Sequence, residues 1–229
     1  MQALKVQGPM GDKARFLKEA REVVETLPGF VLDLDSDAPV LKGSIAITSE
    51  PDGISDVYQL HILQGAYPER YPKVFEVGGK IPRNIEWHIY PAEGNCCIAI
   101  PPEERIRCIQ GIDLITFITE VLPPYFYNQT YRRINGFFLQ EYRHGLFGVL
   151  DYYAEVLKAD SIKEILRLLA LIAQYENRHR NTPCFCGSSK KFKDCHRRAY
   201  QHLAPLGAEF LKQQCLQILG ECLENVPTD

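Results

Sequence analysis

The chain has 229 residues, 45% of them hydrophobic and 24% charged, with 26 Lys+Arg against 29 Asp+Glu. That composition excludes a wholly disordered chain. No apolar run reaches the roughly 18 residues a membrane span needs, and Met1–Val6 lacks a charged-then-apolar leader, so a cytoplasmic protein of one or two domains is expected.

Asp12 can cap a helix running to about Leu27, with Phe16, Leu17, Ala20, Val23, Val24 and Leu27 on one face and Pro28-Gly29 as its stop. Strand patterns follow. Leu41, Gly43, Ile45 and Ile47 alternate with polar or small residues, Val57–Leu63 has high β-propensity, and Val74–Val77 is a further short strand. Pro51-Asp52-Gly53 and Ala66-Tyr67-Pro68 supply turn chemistry. The first 80 residues therefore read as one helix and then about four strands in a meander. Residues 80–111 show no periodicity and read as a long loop, too rich in aromatic and apolar residues to be disordered. A helix is predicted over 112–122, stopped by Pro123-Pro124, with further helical stretches over roughly 129–158. Ser161-Ile162-Lys163-Glu164 is a capping box opening an apolar helix. A last amphipathic helix after Pro205 uses Phe210, Leu211, Cys215, Ile218, Leu219 and Cys222. These elements suggest two domains, 1–158 and 159–229.

Eight cysteines are too few for a disulfide scaffold of this length, so metal binding or catalysis is their expected use. Two groups stand out. In the central loop, Tyr67-Pro68-Glu69-Arg70-Tyr71-Pro72-Lys73-Val74 is followed by Trp87-His88-Ile89-Tyr90 and then by Gly94-Asn95-Cys96-Cys97-Ile98. Adjacent residues of an extended chain point oppositely, so Cys96 and Cys97 cannot share one environment. Residues 12–125 here resemble ubiquitin-conjugating enzymes, which carry a Tyr-Pro-x-x-x-Pro-x-Val stretch and a Gly-x-x-Cys nucleophile element after one helix and a four-stranded meander. The resemblance implies an α/β (α+β) ubiquitin-conjugating-like fold, with Cys97 as the catalytic thiol and His88 and Tyr90 as its helpers. Asn95 is a weaker helper, and Cys96 is packing. The family's His-Pro-Asn is absent: Ile89-Tyr90 stands in place of Pro-Asn, and His88 lies one residue nearer the cysteine than in the family. A side-chain donor at an oxyanion is worth about 2.7–4 kcal/mol, so either His88 or Tyr90 substitutes or transfer to lysine is slow. Thiol exchange with an incoming thioester asks less, namely an accessible sulfur that can become a thiolate.

The second group is Cys184-Phe185-Cys186-Gly187-Ser188-Ser189-Lys190-Lys191-Phe192-Lys193-Asp194-Cys195-His196. Cys184, Cys186, Cys195 and His196 form a Cys3His set that closes a tetrahedral zinc shell, and a closed shell is structural rather than catalytic. Gly187 allows a sharp turn after the second sulfur. The net charge of −3 is uneven around this module. Arg178–Arg198 holds seven bases and one acid, a charge of +6 that leaves −9 on the rest of the chain. The module, about 180–198, is similar to the SEC-C motif, a small zinc-binding element that serves protein docking where it is found.

The two motifs in one chain resemble bacterial ubiquitin-conjugating-enzyme-like proteins of CBASS-type antiphage operons, which lie beside a cyclic GMP-AMP synthase-like nucleotidyltransferase. The short form of these operons has no separate activating enzyme or peptidase. The resemblance implies a thioester-type link between the cysteine and the partner's C-terminus that regulates second-messenger synthesis. Two alternatives are a non-catalytic module of the same fold that binds a protein tail, and a zinc-containing nucleic-acid-binding regulator. The first is favoured by the missing Asn. The second is favoured by the +6 cluster and opposed by the −9 body.

Overall fold

The computed structural model describes residues 11–51, 53–141, 143–176 and 179–224. The N-terminal hexapeptide, Asp52 and Arg178, used in the sequence reading, lie outside the described residues. The architecture is mixed α+β and divides into two units, Met1–Ala99 with Arg107–Glu141, and Ile100–Ile106 with Tyr142–Asp229.

In the first unit, α1 (Lys13–Thr26) starts where Asp12 accepts a hydrogen bond from the Arg15 amide at 2.9 Å. Four strands, β1 (Val31–Asp33), β2 (Val40–Ser49), β3 (Ile54–Leu63) and β4 (Lys73–Glu76), form an antiparallel meander in chain order. Alternation decides what faces the core. Ile54, Tyr58, Leu60 and Ile62 of β3 are buried with Phe16, Ala20 and Val23 of α1. Asp56 occupies one of these inward positions. It accepts from the Val57 amide at 2.9 Å and Thr130 Oγ1 at 3.1 Å, and pairs with Lys80 and with Arg133 at 3.0 Å. A buried charge is tolerable only with such partners. Glu19 plays the same part under α1, accepting from Tyr67 Oη and from the Leu114 amide at 3.0 Å.

Two expectations are corrected beyond the sheet. The supposed loop over 80–111 contains α2 (Pro101–Ile109). Pro101 and Pro102 sit in its first turn, where a missing N–H costs nothing. Pro123-Pro124 does not stop a helix. The chain runs from α3 (Leu114–Thr116) through a π-helical segment, Phe117–Val121, into α4 (Leu122–Asn135), with the prolines at the start of α4. The Leu122 amide bonds back to the Phe117 carbonyl, an i→i+5 pairing. The helical stretches expected over roughly 129–158 are the end of α4 and α5: Gly136 ends α4 at φ +86°, and α5 (Gly145–Leu157) begins nine residues later.

The second unit is helical. α5, α6 (Ile162–Gln174), α7 (Arg197–Leu203) and α8 (Ala208–Glu224) share a core that includes Tyr153, Leu157, Leu168, Leu169, Leu203 and Ile218. Burying each such leucine contributes about 1.5–3 kcal/mol. Ser161 Oγ caps α6, accepting from the Glu164 amide at 3.2 Å as the capping box predicts. Tyr152, Tyr153 and Leu157 pack here, so α5 lies in the second unit. Among the described residues, no helix is long and apolar enough to cross a membrane.

Candidate functional site

The loop after β4 is built as a hairpin. Asn84 caps a 3-10 turn, Ile85–Trp87, which ends at His88 in the left-handed region at φ +50°. Ile89 then bridges to Cys96, with the Tyr90 amide on the Asn95 carbonyl at 3.0 Å and the Gly94 amide on the Tyr90 carbonyl at 2.7 Å. Gly94 takes φ +87° to close the turn, where a Cβ would also lie 3.0 Å from Arg83. Arg83 clamps the hairpin tip through the Pro91 and Ala92 carbonyls at 3.1 and 3.0 Å.

The two adjacent cysteines separate. The Cys96 amide donates to the Val74 carbonyl at 2.7 Å, which ties the loop to β4, and its side chain is 5% exposed in the core. Burial pushes the Cys96 thiol up to about 12, against the opposing pull of the Tyr125 hydroxyl. Cys97 is half-buried, and its amide donates to the His88 carbonyl at 2.7 Å. The backbone thus joins His88 to Cys97. The His88 ring lies against Phe138, centroids 4.9 Å apart, with Nε2 3.1 Å from Glu141 Oε1. Tyr90 is 40% exposed. Asn95 is buried, its Oδ1 without a hydrogen-bond partner among the described residues. Sequence reasoning missed Glu141, which fixes one His88 nitrogen, and also Tyr125 and Gln129, which donate to the His88 and Trp87 carbonyls. A polar Gln129 on the buried face of α4 was the available signal.

The second site lies in the second unit. A bridge between Pro183 and Lys191, with the Cys184 amide on the Lys190 carbonyl at 2.9 Å, forms a knuckle around Gly187 at φ +82°. It brings together Cys184, Cys186, Cys195 and His196, whose four donor atoms all lie within 4.8 Å of one another. The Cys186 and Cys195 sulfurs are 3.6 Å apart, and His196 Nδ1 is 3.5 Å from Cys184 Sγ and 3.2 Å from Cys195 Sγ. With Zn–S bonds of about 2.3 Å at tetrahedral angles, sulfurs should lie about 3.8 Å apart. The donor set and its spacing are therefore compatible with zinc. Burial pushes the Cys184 thiol up to about 11. Burial acts upward on Cys186 too, but hydrogen bonds from Ser188, Cys184 and Cys195 together outweigh it and hold that thiol down at about 6.

The knuckle borrows its core from its flanks. Phe192, 1% exposed, packs with Phe185, with Tyr175 just after α6 and with Tyr200 of α7, at centroid distances of 5.3–5.9 Å. Arg167 of α6 donates to the Cys186 carbonyl at 3.2 Å.

Among known families, the model of the SEC-C motif matches residues 180–198, which span the four clustered residues. No curated protein matches the chain. Nor does any solved structure.

Proposed function

We propose that this protein is a ubiquitin-conjugating-like acyl carrier in which Cys97 accepts the C-terminal carbonyl of a protein partner as a thioester. The observation that carries the reading is the split between neighbouring thiols: Cys96 is sealed in the core with its thiol pushed to about 12, while Cys97 is partly exposed beside His88. The helix–meander–loop order of the first unit supports the same reading. In the step itself, the Cys97 thiolate attacks the carbonyl of an incoming thioester. The carbon–sulfur bond to the donor breaks, and the departing thiolate takes up the proton that Cys97 gave away. His88, its ring held by Glu141, is the candidate acceptor of that proton, and Tyr90 is the exposed candidate donor near the carbonyl. The partner is a cyclic GMP-AMP synthase-like nucleotidyltransferase, engaged through its C-terminal tail in the cytoplasm and regulated in antiviral defence. Cys184, Cys186, Cys195 and His196 hold a structural zinc, which supplies folding free energy to the second unit and takes no part in the transfer.

The non-catalytic binding module is the second reading. It draws on Ile89, which is 3% exposed and offers no side-chain donor next to His88. Co-purification with the nucleotidyltransferase and non-reducing gels separate the two. A thiol-labile adduct lost in Cys97→Ala and kept in Cys96→Ala is expected. Binding without an adduct under any condition leaves the binding module, and salt-dependent DNA binding that survives both substitutions points instead to a nucleic-acid-binding regulator.

A further inference from the structure

The 3-10 turn before His88 uses the Asn84 carbonyl, which takes the Trp87 amide at 3.2 Å, and the Ile85 carbonyl, which takes the His88 amide at 2.8 Å. The carbonyls that follow the last turn of a helix must find donors elsewhere. Here the donors come from one face of α4. Tyr125 Oη donates to the His88 carbonyl at 2.9 Å, Gln129 Nε2 to the Trp87 carbonyl at 2.9 Å, and the Arg132 guanidinium to the Glu86 carbonyl. The donors stand at i, i+4 and i+7, and the acceptors are three consecutive residues read in reverse.

The last acceptor is shared. The His88 carbonyl takes both the Tyr125 hydroxyl and the Cys97 amide, so one oxygen joins α4 to the backbone of the cysteine. Gln129 is 1% exposed and its Oε1 has no partner among the described residues. An apolar residue would pack there at lower cost, so it is the Gln129 N–H that the position uses. Arg132 is held between Trp87 and Phe138, 4.3 and 4.5 Å from their centroids. Burial keeps the Tyr125 phenol protonated well above its ordinary range, so it remains a donor.

We propose that Tyr125, Gln129 and Arg132 are positioning residues that set where Cys97 sits, through three carbonyls of the loop ahead of it. The part this plays in acyl transfer rests on the reading of Cys97 as the nucleophile, whereas the ladder itself does not.

The test is hydrogen exchange on the full-length protein, with the Cys97 amide and the β3 amides followed separately in wild type, Tyr125→Phe, Arg132→Ala and Arg132→Lys. Tyr125→Phe and Arg132→Ala should each speed exchange of the Cys97 amide tenfold or more while β3 is unchanged, and Arg132→Lys, which keeps a donor, should restore most of the protection. Adduct yield with the nucleotidyltransferase should fall in step. If Tyr125→Phe does not fold, the half-exposed Arg132 pair carries the same readout. Unchanged Cys97 exchange in folded variants overturns the ladder, as does equal acceleration in β3, which would mark general destabilisation. Faster Cys97 exchange together with no adduct even in wild type keeps the ladder and removes the acyl-transfer reading.

Discussion

Iodoacetamide labelling across pH gives a quantitative test of the split between Cys96 and Cys97. An ordinary cysteine titrates near 8.5, whereas burial pushes Cys96 to about 12. At pH 8 the thiolate fraction is then about 0.24 for the ordinary thiol and about 10⁻⁴ for Cys96, a ratio of about 2,000. A more basic thiolate is the better nucleophile, and a Brønsted slope of about 0.45 over that interval returns a factor of about 40. Chemistry alone leaves Cys96 about 60-fold slower than free glutathione, and its 5% exposure slows it further. The assay is peptide mapping by mass spectrometry after timed labelling between pH 6 and 10. Of the two, Cys97 should label first at every pH, with Cys96 modified only after unfolding. Labelling of Cys96 in the folded protein within tenfold of glutathione would refute the reasoning. The same shift has a stability consequence. A thiol whose folded value is raised stabilises the fold fully below about 8.5, and that contribution is lost as pH climbs from there toward 12.

Other expectations are independent of that one. Metal analysis should find about one zinc per chain, lost in Cys195→Ala, and chelation should open the module to trypsin at Lys190 and Lys191 while the first unit keeps its near-ultraviolet spectrum. Asp56→Ala should cost about 1–3 kcal/mol in urea titrations, because Thr130 and the Val57 amide lose a buried acceptor while Lys80 and Arg133, each about a third exposed, turn to water. The Asp56 carboxyl is held below its usual range by Lys80 and its other hydrogen bonds, which outweigh the upward effect of burial. Its stabilising share should therefore be present above about pH 4 and disappear as pH falls further, a slope absent from the Asp56→Ala protein. Gly43→Ala would drive a Cβ to 2.4 Å from the Phe30 ring and should lower stability by about 1–3 kcal/mol in a thermal melt.

The helical caps and the meander were legible because they depend on short-range rules. Asp12 and Ser161 carry their caps in the three residues that follow each, and the alternation along β3 names its own buried face. The cysteine/histidine cluster was legible for the same reason, since its four residues lie within 13 positions and Gly187 marks the turn. What misled was proline. Read locally, Pro101-Pro102 and Pro123-Pro124 are breakers, yet each pair occupies an opening turn where no amide is required. The surroundings of Cys97 were only half legible. His88 could be picked out by nearness in sequence, but Glu141 lies 53 residues from His88 and Gln129 lies 42 from Trp87. Such pairs have no local signature. Only the oddity of an amide on a buried helix face hints at them.

The π-helical turn ahead of Pro123-Pro124 also sets the phase of everything after it. Each residue added to or removed from a helix rotates the downstream faces by about 100°. The extra residue in Phe117–Val121 therefore decides which side of α4 carries Tyr125, Gln129 and Arg132. Deleting one residue there, with every side chain of α4 intact, would swing those donors about a quarter of a turn away from the loop. The cysteine's surroundings are thus indexed by helical pitch.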